Sequence, residues 1–420
     1  SPSGEPNSGS LWGAASGVTV TVNSPAGDIM NVSISFAPKT DRFRAPSGPG
    51  HITSADLDGN GAHELVVSGK DSSSVIDVSS GRRFDFPTIG HPAIINSGSG
   101  TIMAVHRSDG ISFQHYTGSM MESVATFEGD LGGGMRTVPD GPLAASGGKL
   151  FVPALVTMNG RATGRAILAI PISSFPISGL ESIALDDTSR IVSIAALGDL
   201  FIAVSQSGYI HMGRVSDKKT VSAGLPSGTL RGPIIADLDR DGLYDIVLTV
   251  GSKLVIAEDV VSSGATDISA SSLWFKSFPL DSEPSGEPVA ADIDLDGYPE
   301  ILVSVGGTCL AFRSNGVGAD GFPLTLSSGD TSETIAAQPL ICDFDGDGGP
   351  EAGFPTSNMR FMSFSGKRAS ISGFPVALPC ALDGTPVIFQ KSASGISALA
   401  WSSGDGSVYV RDLPASVSTK

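Results

Sequence analysis

Charged and aromatic residues are scarce in this chain. Of its 420 residues, 16% are charged and 6% are aromatic, whereas 40% are hydrophobic. The 43 acidic side chains outnumber the 26 basic ones, so the formal net charge is −17, and lysine and arginine form no cluster. Nucleic acids and anionic membranes are bound through basic surfaces, so the composition excludes nucleic acid as a partner and argues against attraction to anionic lipid. The surplus of carboxylates suits the binding of cations instead.

Cysteines and long hydrophobic runs are also few. Cys309, Cys342 and Cys380 are an odd set, and they show none of the Cys or His spacings of a zinc site. We interpret them as buried thiols, and one disulfide between two of the three stays open. The longest apolar stretches, such as residues 166–172, are too short to cross a bilayer, so we predict no membrane span in this chain.

Glycine and proline, by contrast, are abundant. The 53 glycines and 27 prolines suit a fold of many short strands joined by many turns. Residues 1–17 are rich in serine, glycine and proline, so we predict a flexible N-terminal tail there. We expect residues 18–420 to form one domain.

One acidic motif occurs four times, with the pattern D-x-D-x-[D/N]-G-x-x-[D/E]. Its copies begin at Asp56, Asp237, Asp292 and Asp343. Positions 1, 3, 5 and 9 supply side-chain oxygens, the glycine at position 6 permits a sharp turn, and the carbonyl at position 7 can complete the shell. Ca²⁺ accepts six to eight oxygens in irregular geometry and Mg²⁺ does not, so the motif predicts about four structural Ca²⁺ sites.

The predicted metal ligands follow from these positions. They are, motif by motif, Asp56, Asp58, Asn60, Ala62 and Glu64; Asp237, Asp239, Asp241, Leu243 and Asp245; Asp292, Asp294, Asp296, Tyr298 and Glu300; and Asp343, Asp345, Asp347, Gly349 and Glu351. Because Asn60 replaces a carboxylate, we expect the first site to be the weakest.

The motif differs from an EF-hand loop. An EF-hand needs a bidentate glutamate at position 12 and a helix on each side, but position 12 here is Val67, Leu248, Val303 or Phe354. The flanking segments are short and β-branched, which favours strands. We therefore predict that each acidic loop is the turn of a β-hairpin.

The acidic loops belong to a longer repeat. Small, apolar first strands begin near residues 51, 92, 142, 190, 233, 288, 337 and 385, and units of this length with four short strands each describe an all-β protein, a β-propeller. Eight blades are favoured, and seven are the alternative because the units at 92 and 190 are short. The last unit ends after its third strand, so we predict that an N-terminal strand, from 18–22 or 32–36, completes it.

At these residues the chain resembles the FG-GAP/VCBS-type repeat family, which includes the propeller of integrin α-subunits. The resemblance is carried by the four acidic loops, by the small-residue strand before each, and by the Gly-Phe-Pro sequences at 321–323 and 373–375. It is strongest over about 230–380 and 50–70. The resemblance implies a calcium-stabilised propeller that serves extracellular recognition or acts as a structural module.

These observations together predict a non-enzymatic, secreted or cell-surface propeller. Its partner would be a protein or a glycan, bound at a loop face or at the channel mouth in an adhesion-like role or within a surface assembly. Extracellular modules bind Ca²⁺ at about 10⁻⁴–10⁻³ M, which weak loops can reach. The sequon at Asn31 adds weak support for secretion.

The alternative is a propeller enzyme that uses its central channel, either a quinoprotein dehydrogenase or a hydrolase. Three scattered tryptophans, Trp12, Trp274 and Trp401, do not form the repeated docking pattern of a quinoprotein. We expect Trp274 and Trp401 to pack in the core or between blades. No G-x-S-x-G motif supports a hydrolase.

Overall fold

The structure, a computed structural model, describes residues 18–22, 32–36, 40–44, 50–88, 90–97, 100–108, 110–172, 177, 179–262, 275–326, 333–365, 371, 373–393, 395 and 397–413. The tail predicted over 1–17 lies outside these residues, as do Asn31 and Trp274. Every regular element in the described part is a β-strand. No helix there is long and apolar enough to cross a membrane.

Three strands precede the first blade. They are β1 (Val18–Val22), β2 (Val32–Phe36) and β3 (Thr40–Arg44). β1 and β2 pair with each other in an antiparallel two-stranded sheet of their own, with Val18 opposite Phe36.

Eight antiparallel blades follow, which confirms the eight-bladed propeller and excludes the seven-bladed alternative. The first four contain, in chain order, β4 (His51–Ala55), β5 (Glu64–Ser68), β6 (Ser72–Asp77), β7 (Arg82–Pro87); β8 (Ala93–Ser97), β9 (Gly100–Arg107), β10 (Gly110–Tyr116), β11 (Met121–Phe127); β12 (Asp130–Gly132), β13 (Met135–Pro139), β14 (Ala144–Ser146), β15 (Lys149–Met158), β16 (Arg161–Pro171), β17 (Glu181–Leu185); and β18 (Ile191–Leu197), β19 (Leu200–Ser205), β20 (Tyr209–Arg214), β21 (Lys219–Gly224).

The last four blades hold the remaining strands. These are β22 (Leu230–Ala236), β23 (Leu243–Val250), β24 (Lys253–Ser262), β25 (Phe275–Pro279); β26 (Val289–Ala291), β27 (Glu300–Val305), β28 (Thr308–Phe312), β29 (Leu324–Thr325); β30 (Leu340–Cys342), β31 (Glu351–Pro355), β32 (Arg360–Phe364), β33 (Val376–Ala377); and β34 (Val387–Gln390), β35 (Ser397–Ser402), β36 (Ser407–Asp412). Each first strand begins within a few residues of its predicted position.

Blade 3 departs from the four-stranded plan. Its sheet has six strands, because β13 pairs with the second half of β15 while β14 pairs with the first half, and β12 pairs with β13. Strands β15 and β16 have 10 and 11 residues, which gives them room for both partners. The repeat length did not reveal this hairpin.

The core lies between the blades. Even-numbered residues of β15, such as Val152, pack with Phe113 of blade 2, while Phe151 packs against Phe201 of blade 4. Each blade is therefore covered on both sides, and second strands such as β5 and β27 are buried throughout. Two-sided burial explains why these strands are continuous apolar runs rather than alternating ones.

An N-terminal strand closes the ring, as predicted, but it is not one of the two strands proposed. β3 pairs with β36 to complete blade 8, from Thr40 opposite Arg411 to Arg44 opposite Ser407. Phe43 joins the core between blades 8 and 1, and Lys391 pairs with Asp41. The sequence TDRFR carries a single apolar residue, so it gave no strand signal.

The propeller has two faces. In every blade the first strand lines the channel, and neighbouring first strands contact one another from β8 through β26 and from β30 through β4. The turns between first and second strands lie on one face, called here the loop face. The turns between second and third strands, and the links between blades, lie on the opposite face.

The cysteines and the described tryptophan are core residues. Cys309, Cys342 and Cys380 are not joined by a disulfide, so the open disulfide alternative is not realised, and burial raises the pKa of Cys309. Trp401 is fully buried in the second strand of blade 8, as expected, and stacks on Tyr409 with ring centroids 5.6 Å apart.

Truncation tests the closure. A chain that begins at residue 38 keeps β3, whereas a chain that begins at residue 46 lacks it and leaves the β36 edge open. We expect the shorter chain to melt several degrees lower and to self-associate, by calorimetry and size-exclusion chromatography, and the longer one to resemble the full chain. Equal melting of the two truncations would contradict closure by β3.

A buried histidine predicts acid sensitivity. Burial lowers the pKa of His106 to about 4, and only 4% of this residue is exposed. The unfolded chain binds the proton more tightly than the folded chain does. The free energy of unfolding is therefore nearly constant above pH 6.5 and falls as the pH drops toward 4. The loss between pH 7 and pH 5 is about 2 kcal/mol.

His106→Gln should reduce that pH dependence by about this amount in urea denaturation at the two pH values, with Ca²⁺ present in both. An unchanged difference between pH 7 and pH 5 would show that His106 is protonated as easily in the folded state as in the unfolded one.

Candidate metal centre

The four acidic motifs are the turns between first and second strands of blades 1, 5, 6 and 7, all on the loop face. They are called here loop 1 (Asp56–Glu64), loop 5 (Asp237–Asp245), loop 6 (Asp292–Glu300) and loop 7 (Asp343–Glu351). Each is closed by pairing of the residue before it with its ninth residue, as Ala291 pairs with Glu300. The predicted hairpin turn is confirmed.

The same hydrogen bonds recur in every loop. In loop 6, Asp292 Oδ2 accepts the Gly297 N–H at 3.0 Å, Asp294 Oδ1 accepts the Asp296 N–H at 3.1 Å, and Asp296 Oδ1 accepts the Tyr298 N–H at 2.8 Å. The equivalent bonds are present in loops 1, 5 and 7. One oxygen of each of the three side chains thus shapes the turn.

Carboxylate oxygens converge inside each loop. Three acidic side chains place one oxygen each within 4.8 Å of the others, and the sets are Asp56, Asp58 and Glu64; Asp237, Asp239 and Asp241; Asp292, Asp294 and Asp296; and Asp343, Asp345 and Asp347. Positions 1, 3 and 5 therefore meet in loops 5, 6 and 7. The carbonyl ligands at position 7 stay a prediction.

The ninth residue has a structural role that the motif did not show. Glu64, Asp245, Glu300 and Glu351 are 1–3% exposed. Each accepts the backbone N–H of the loop's second residue, at 2.6–3.1 Å, and that second residue is a buried apolar side chain. The ninth carboxyl group thus anchors the start of the loop to the blade.

Burial disturbs the ionisation of these groups. It raises the pKa of Glu64 and Glu300 to about 7 and that of Asp245 to about 6, and the nearby aspartates add to the rise. The pKa of Glu351 is raised for the same reason. A buried carboxyl group beside three others is stable as an anion only where a positive charge lies close to it.

The donor set fits a hard cation. The groups that converge are carboxylates, and Asp237 Oδ1 and Asp292 Oδ1 are buried atoms with no hydrogen-bond donor among the described residues. A buried oxygen left without a donor is costly, and a metal ion would satisfy it. Carboxylate oxygens in a flexible turn are the ligands that Ca²⁺ prefers.

Loop 5 has an additional carboxylate that lies outside the motif. Asp259 belongs to β24, has a positive φ of 54°, and donates its N–H to Asp245 Oδ1 at 2.9 Å. Burial raises the pKa of Asp259, and the charges of Asp241 and Asp239 raise it further. Its position 14 residues after Asp245 follows no repeat spacing, so the sequence gave no signal for it.

Loop 1 has a different polar environment. Asn60 Nδ2 donates to Asp58 Oδ2 at 3.0 Å, so its amide stabilises the Asp58 carboxylate through a hydrogen bond. A cavity of about 600 Å³ lies beside the loop, with His63 and His115 in its wall. Nδ1 of His63 is buried without a partner among the described residues.

Neighbouring loops touch one another around the loop face. The fourth residue of each loop has a positive φ and is glycine in loops 1 and 7, but it is Arg240 in loop 5 and Leu295 in loop 6. Arg240 approaches Asp292 Oδ2 of the next loop at 3.8 Å. Leu295 Cδ1 lies 3.5 Å from where a Cβ on Gly349 would stand. Loops 5, 6 and 7 therefore form a continuous arc.

The channel offers a second concave region. A cavity of about 740 Å³ lies near the beginning of the first strands, toward the face opposite the loops. His51, Arg231, Glu287, Gln338 and Thr385 are among the residues that line it. Its size is within the range of ligand pockets.

Blade 4 contains a Ser–His–Asp arrangement. His211 Nδ1 is 2.8 Å from Ser222 Oγ, and His211 Nε2 is 3.5 Å from Asp187 Oδ2. Asp187 is also held by Ser189 and Ser207. Because His211 is 1% exposed, no substrate can reach the imidazole, and the network instead joins the blade's outer strands to the preceding link.

No protein-family model matches the chain, and no curated protein matches it. Among solved structures it is similar to Saccharomyces cerevisiae Sqt1, with a TM-score of 0.56, 9% identity, and coverage of 90% of this chain and 100% of that one. It is also similar to Chaetomium thermophilum Sqt1 bound to the N-terminus of ribosomal protein L10, with a TM-score of 0.55, 11% identity, and coverage of 88% and 98%.

A third similar structure is BBS1N in complex with ARL6DN, with a TM-score of 0.50, 13% identity, and coverage of 91% of this chain and 98% of that one. At these identities the likeness shows the fold, an eight-bladed propeller. Two of these propellers are seen with a protein partner, ARL6DN on BBS1N and the N-terminus of ribosomal protein L10 on Chaetomium thermophilum Sqt1.

The prediction of a secreted or cell-surface location is wrong by this comparison. The propellers of similar structure are intracellular proteins, which is evidence against an extracellular location for this chain. The prediction depended on an assumed weak Ca²⁺ affinity and on the sequon at Asn31, which lies outside the described residues.

The Asp259 carboxylate makes a specific prediction for loop 5. Ligand charge sets the Ca²⁺ affinity of oxygen sites, so Asp259→Asn should weaken Ca²⁺ binding there about tenfold while keeping the backbone N–H that holds Asp245. Calorimetric titration with Ca²⁺ measures the change.

Glu258→Gln is the matched control, since Glu258 is the preceding residue and pairs with Lys276. Equal losses in the two variants, or no loss in Asp259→Asn, would show that Asp259 has no special part in the site.

Proposed function

We propose that this chain is a non-enzymatic, protein-binding propeller whose loop face is held in shape by Ca²⁺ in loops 1, 5, 6 and 7. The observation that carries the proposal is the convergence of carboxylate oxygens in four loops with one hydrogen-bond pattern. We assign the repeats to the FG-GAP/VCBS type on the strength of the same motif.

The role of Ca²⁺ is structural in this proposal. The ion would neutralise the aspartates at positions 1, 3 and 5 and lower the cost of the buried ninth carboxylate, which pins the loop to its blade. A ligand that binds the folded state alone adds RT ln(1 + [L]/Kd), about 2.7 kcal/mol per site at a hundredfold excess over Kd. Four such sites would stiffen one face and leave the opposite face free for partners.

Protein partners are favoured over glycans. The similar propeller of Chaetomium thermophilum Sqt1 binds the N-terminus of ribosomal protein L10, and BBS1N is seen in complex with ARL6DN. A flat glycan site usually needs exposed aromatic rings, and the exposed large side chains here are mainly methionine and valine, with Tyr209 and Tyr298.

Protein capture tests the proposal. Purified chain, with and without a chelator, is cross-linked in an extract, and complexes are measured by native mass spectrometry. A variant with the first aspartate of every loop changed to asparagine should lose Ca²⁺ and stability, and it should capture less of a stoichiometric protein partner. Asp217→Asn, an exposed aspartate outside the loops, is the control. Full capture and stability in the loop variant would contradict the proposal.

A further inference from the structure

Loop 6 carries large apolar side chains where the other acidic loops do not. Its fourth residue is Leu295, which is 65% exposed, and its seventh is Tyr298, which is 51% exposed. The fourth residue is glycine in loops 1 and 7 and Arg240 in loop 5. The seventh residue of the other three loops is a buried or half-buried alanine, leucine or glycine. Among the four acidic loops, which all lie within the described ranges, loop 6 thus exposes the most apolar surface.

The backbone at Leu295 makes a leucine unfavourable there. Its φ is +62°, in the left-handed region where a Cβ is disfavoured and glycine is preferred. The glycines at this position in loops 1 and 7 have φ values of +76° and +80°. The leucine gains little burial in return, because its neighbour on loop 7, Gly349, has no side chain. A residue that is unfavourable in both conformation and exposure indicates a contact with another molecule.

A third apolar side chain lies on the same face of blade 6. Val317 is 58% exposed, in the turn after β28 that Phe312 and Gly318 close by pairing. This turn joins a third strand to a fourth, so it lies on the loop face, as loop 6 does. Two strand spacings separate the two turns, so they lie about 10 Å apart. A short extended segment of a partner can contact both turns at this distance.

Acidic charge surrounds these apolar side chains. Loops 5, 6 and 7 hold four carboxyl groups each, and Arg240 is the single basic residue in their sequences. One Ca²⁺ would neutralise two of the four charges in a loop, so the arc stays anionic with its metal bound. A partner that meets the arc must therefore bring positive charge. The aspartates of the arc that are exposed to such a partner are Asp239, Asp241, Asp296, Asp345 and Asp347.

We propose that loop 6 docks a basic segment of a protein partner. Leu295, Tyr298 and Val317 pack on an apolar side chain of that segment, and the exposed aspartates of the arc pair with its lysines or arginines. Apolar anchors within a polar rim are the usual arrangement of a protein interface. The proposal rests on the proposed function and deepens it, since it places one partner on the face that Ca²⁺ stiffens. The opposite face stays free for others.

Fluorescence anisotropy of labelled peptides tests the proposal on the full chain in the presence of Ca²⁺. The probes are a short peptide of leucine and lysine, its counterpart in which glutamate replaces lysine, and a peptide of serine and lysine that has the charge without the apolar residue. We expect the leucine–lysine peptide to bind about tenfold more tightly than the serine–lysine peptide, and the glutamate peptide not to bind. Raised salt should weaken binding of the leucine–lysine peptide.

Leu295→Gly is the decisive variant, because loops 1 and 7 already have glycine at this position. The change removes an anchor and relieves the left-handed backbone, so Tm should stay equal or rise. The affinity for the leucine–lysine peptide should fall about tenfold. Met359→Gly is the matched control and should leave the affinity unchanged, since Met359 has a φ of +57° and is 44% exposed in a turn on the opposite face.

Tyr298→Ala gives a second, independent variant. Loop 1 has Ala62 at the same position, so the turn accommodates alanine, and this change should also weaken binding of the leucine–lysine peptide. Unchanged affinity in both loop 6 variants, or an equal loss in Met359→Gly, would overturn the proposal. Equal binding of the serine–lysine peptide would overturn it as well, because charge alone would then explain the attraction.

Three further outcomes separate this proposal from the proposed function. If a protein partner captured by the wild-type chain binds Leu295→Gly as tightly, the docking surface is wrong and the protein-binding function stands. If the wild-type chain captures no stoichiometric partner, the protein-binding function fails and this proposal fails with it. A dimer of this chain that Leu295→Gly dissociates, measured by native mass spectrometry, would replace the partner by a second copy and overturn the proposal.

Discussion

The buried carboxyl group at the ninth position of each acidic loop is the constraint on which the rest of the site depends. Glu300, for example, is 1% exposed, accepts the Ile293 N–H, and lies beside three aspartates. Such a group is stable in its protonated form, which its raised pKa favours, or as an anion beside a cation. The loop geometry is otherwise complete without the ion, because backbone N–H groups hold one oxygen of each aspartate.

That constraint is linked to the packing of the whole ring. The second residue of each loop, whose N–H the ninth carboxyl group accepts, is buried in the core, as Phe344 is beside Phe361 and Phe374. The loops are thus anchored to the layers between blades, and contacts such as Arg240 with Asp292 connect one blade to the next. An ion bound in one loop therefore affects the packing of two neighbouring blades. The β12–β13 hairpin of blade 3 and the cavity of about 740 Å³ lie toward the opposite face.

Much of the fold could be predicted from the sequence, because each blade places an apolar second strand between two neighbours and repeats it at a regular spacing. The four acidic loops could be found because their spacing is fixed by the turn. Features that follow no repeat were missed. β3 has one apolar residue and is stabilised by partners more than 350 residues away, such as Ser407 and Asp405. Asp259 reaches loop 5 through a local backbone irregularity, and the β12–β13 hairpin is a single insertion. The predicted location failed for another reason, since it depended on an assumed Ca²⁺ affinity and on a sequon, and not on contacts within this chain.

The most direct test of the account is to count the metal bound to the purified protein by mass spectrometry and to record its thermal unfolding with and without EDTA. We expect about four Ca²⁺ per chain, one for each acidic loop, and a large fall in Tm when the ion is removed. Little bound metal together with an unchanged Tm in EDTA would show that the four loops are ordinary acidic turns, and it would contradict the calcium-stabilised propeller.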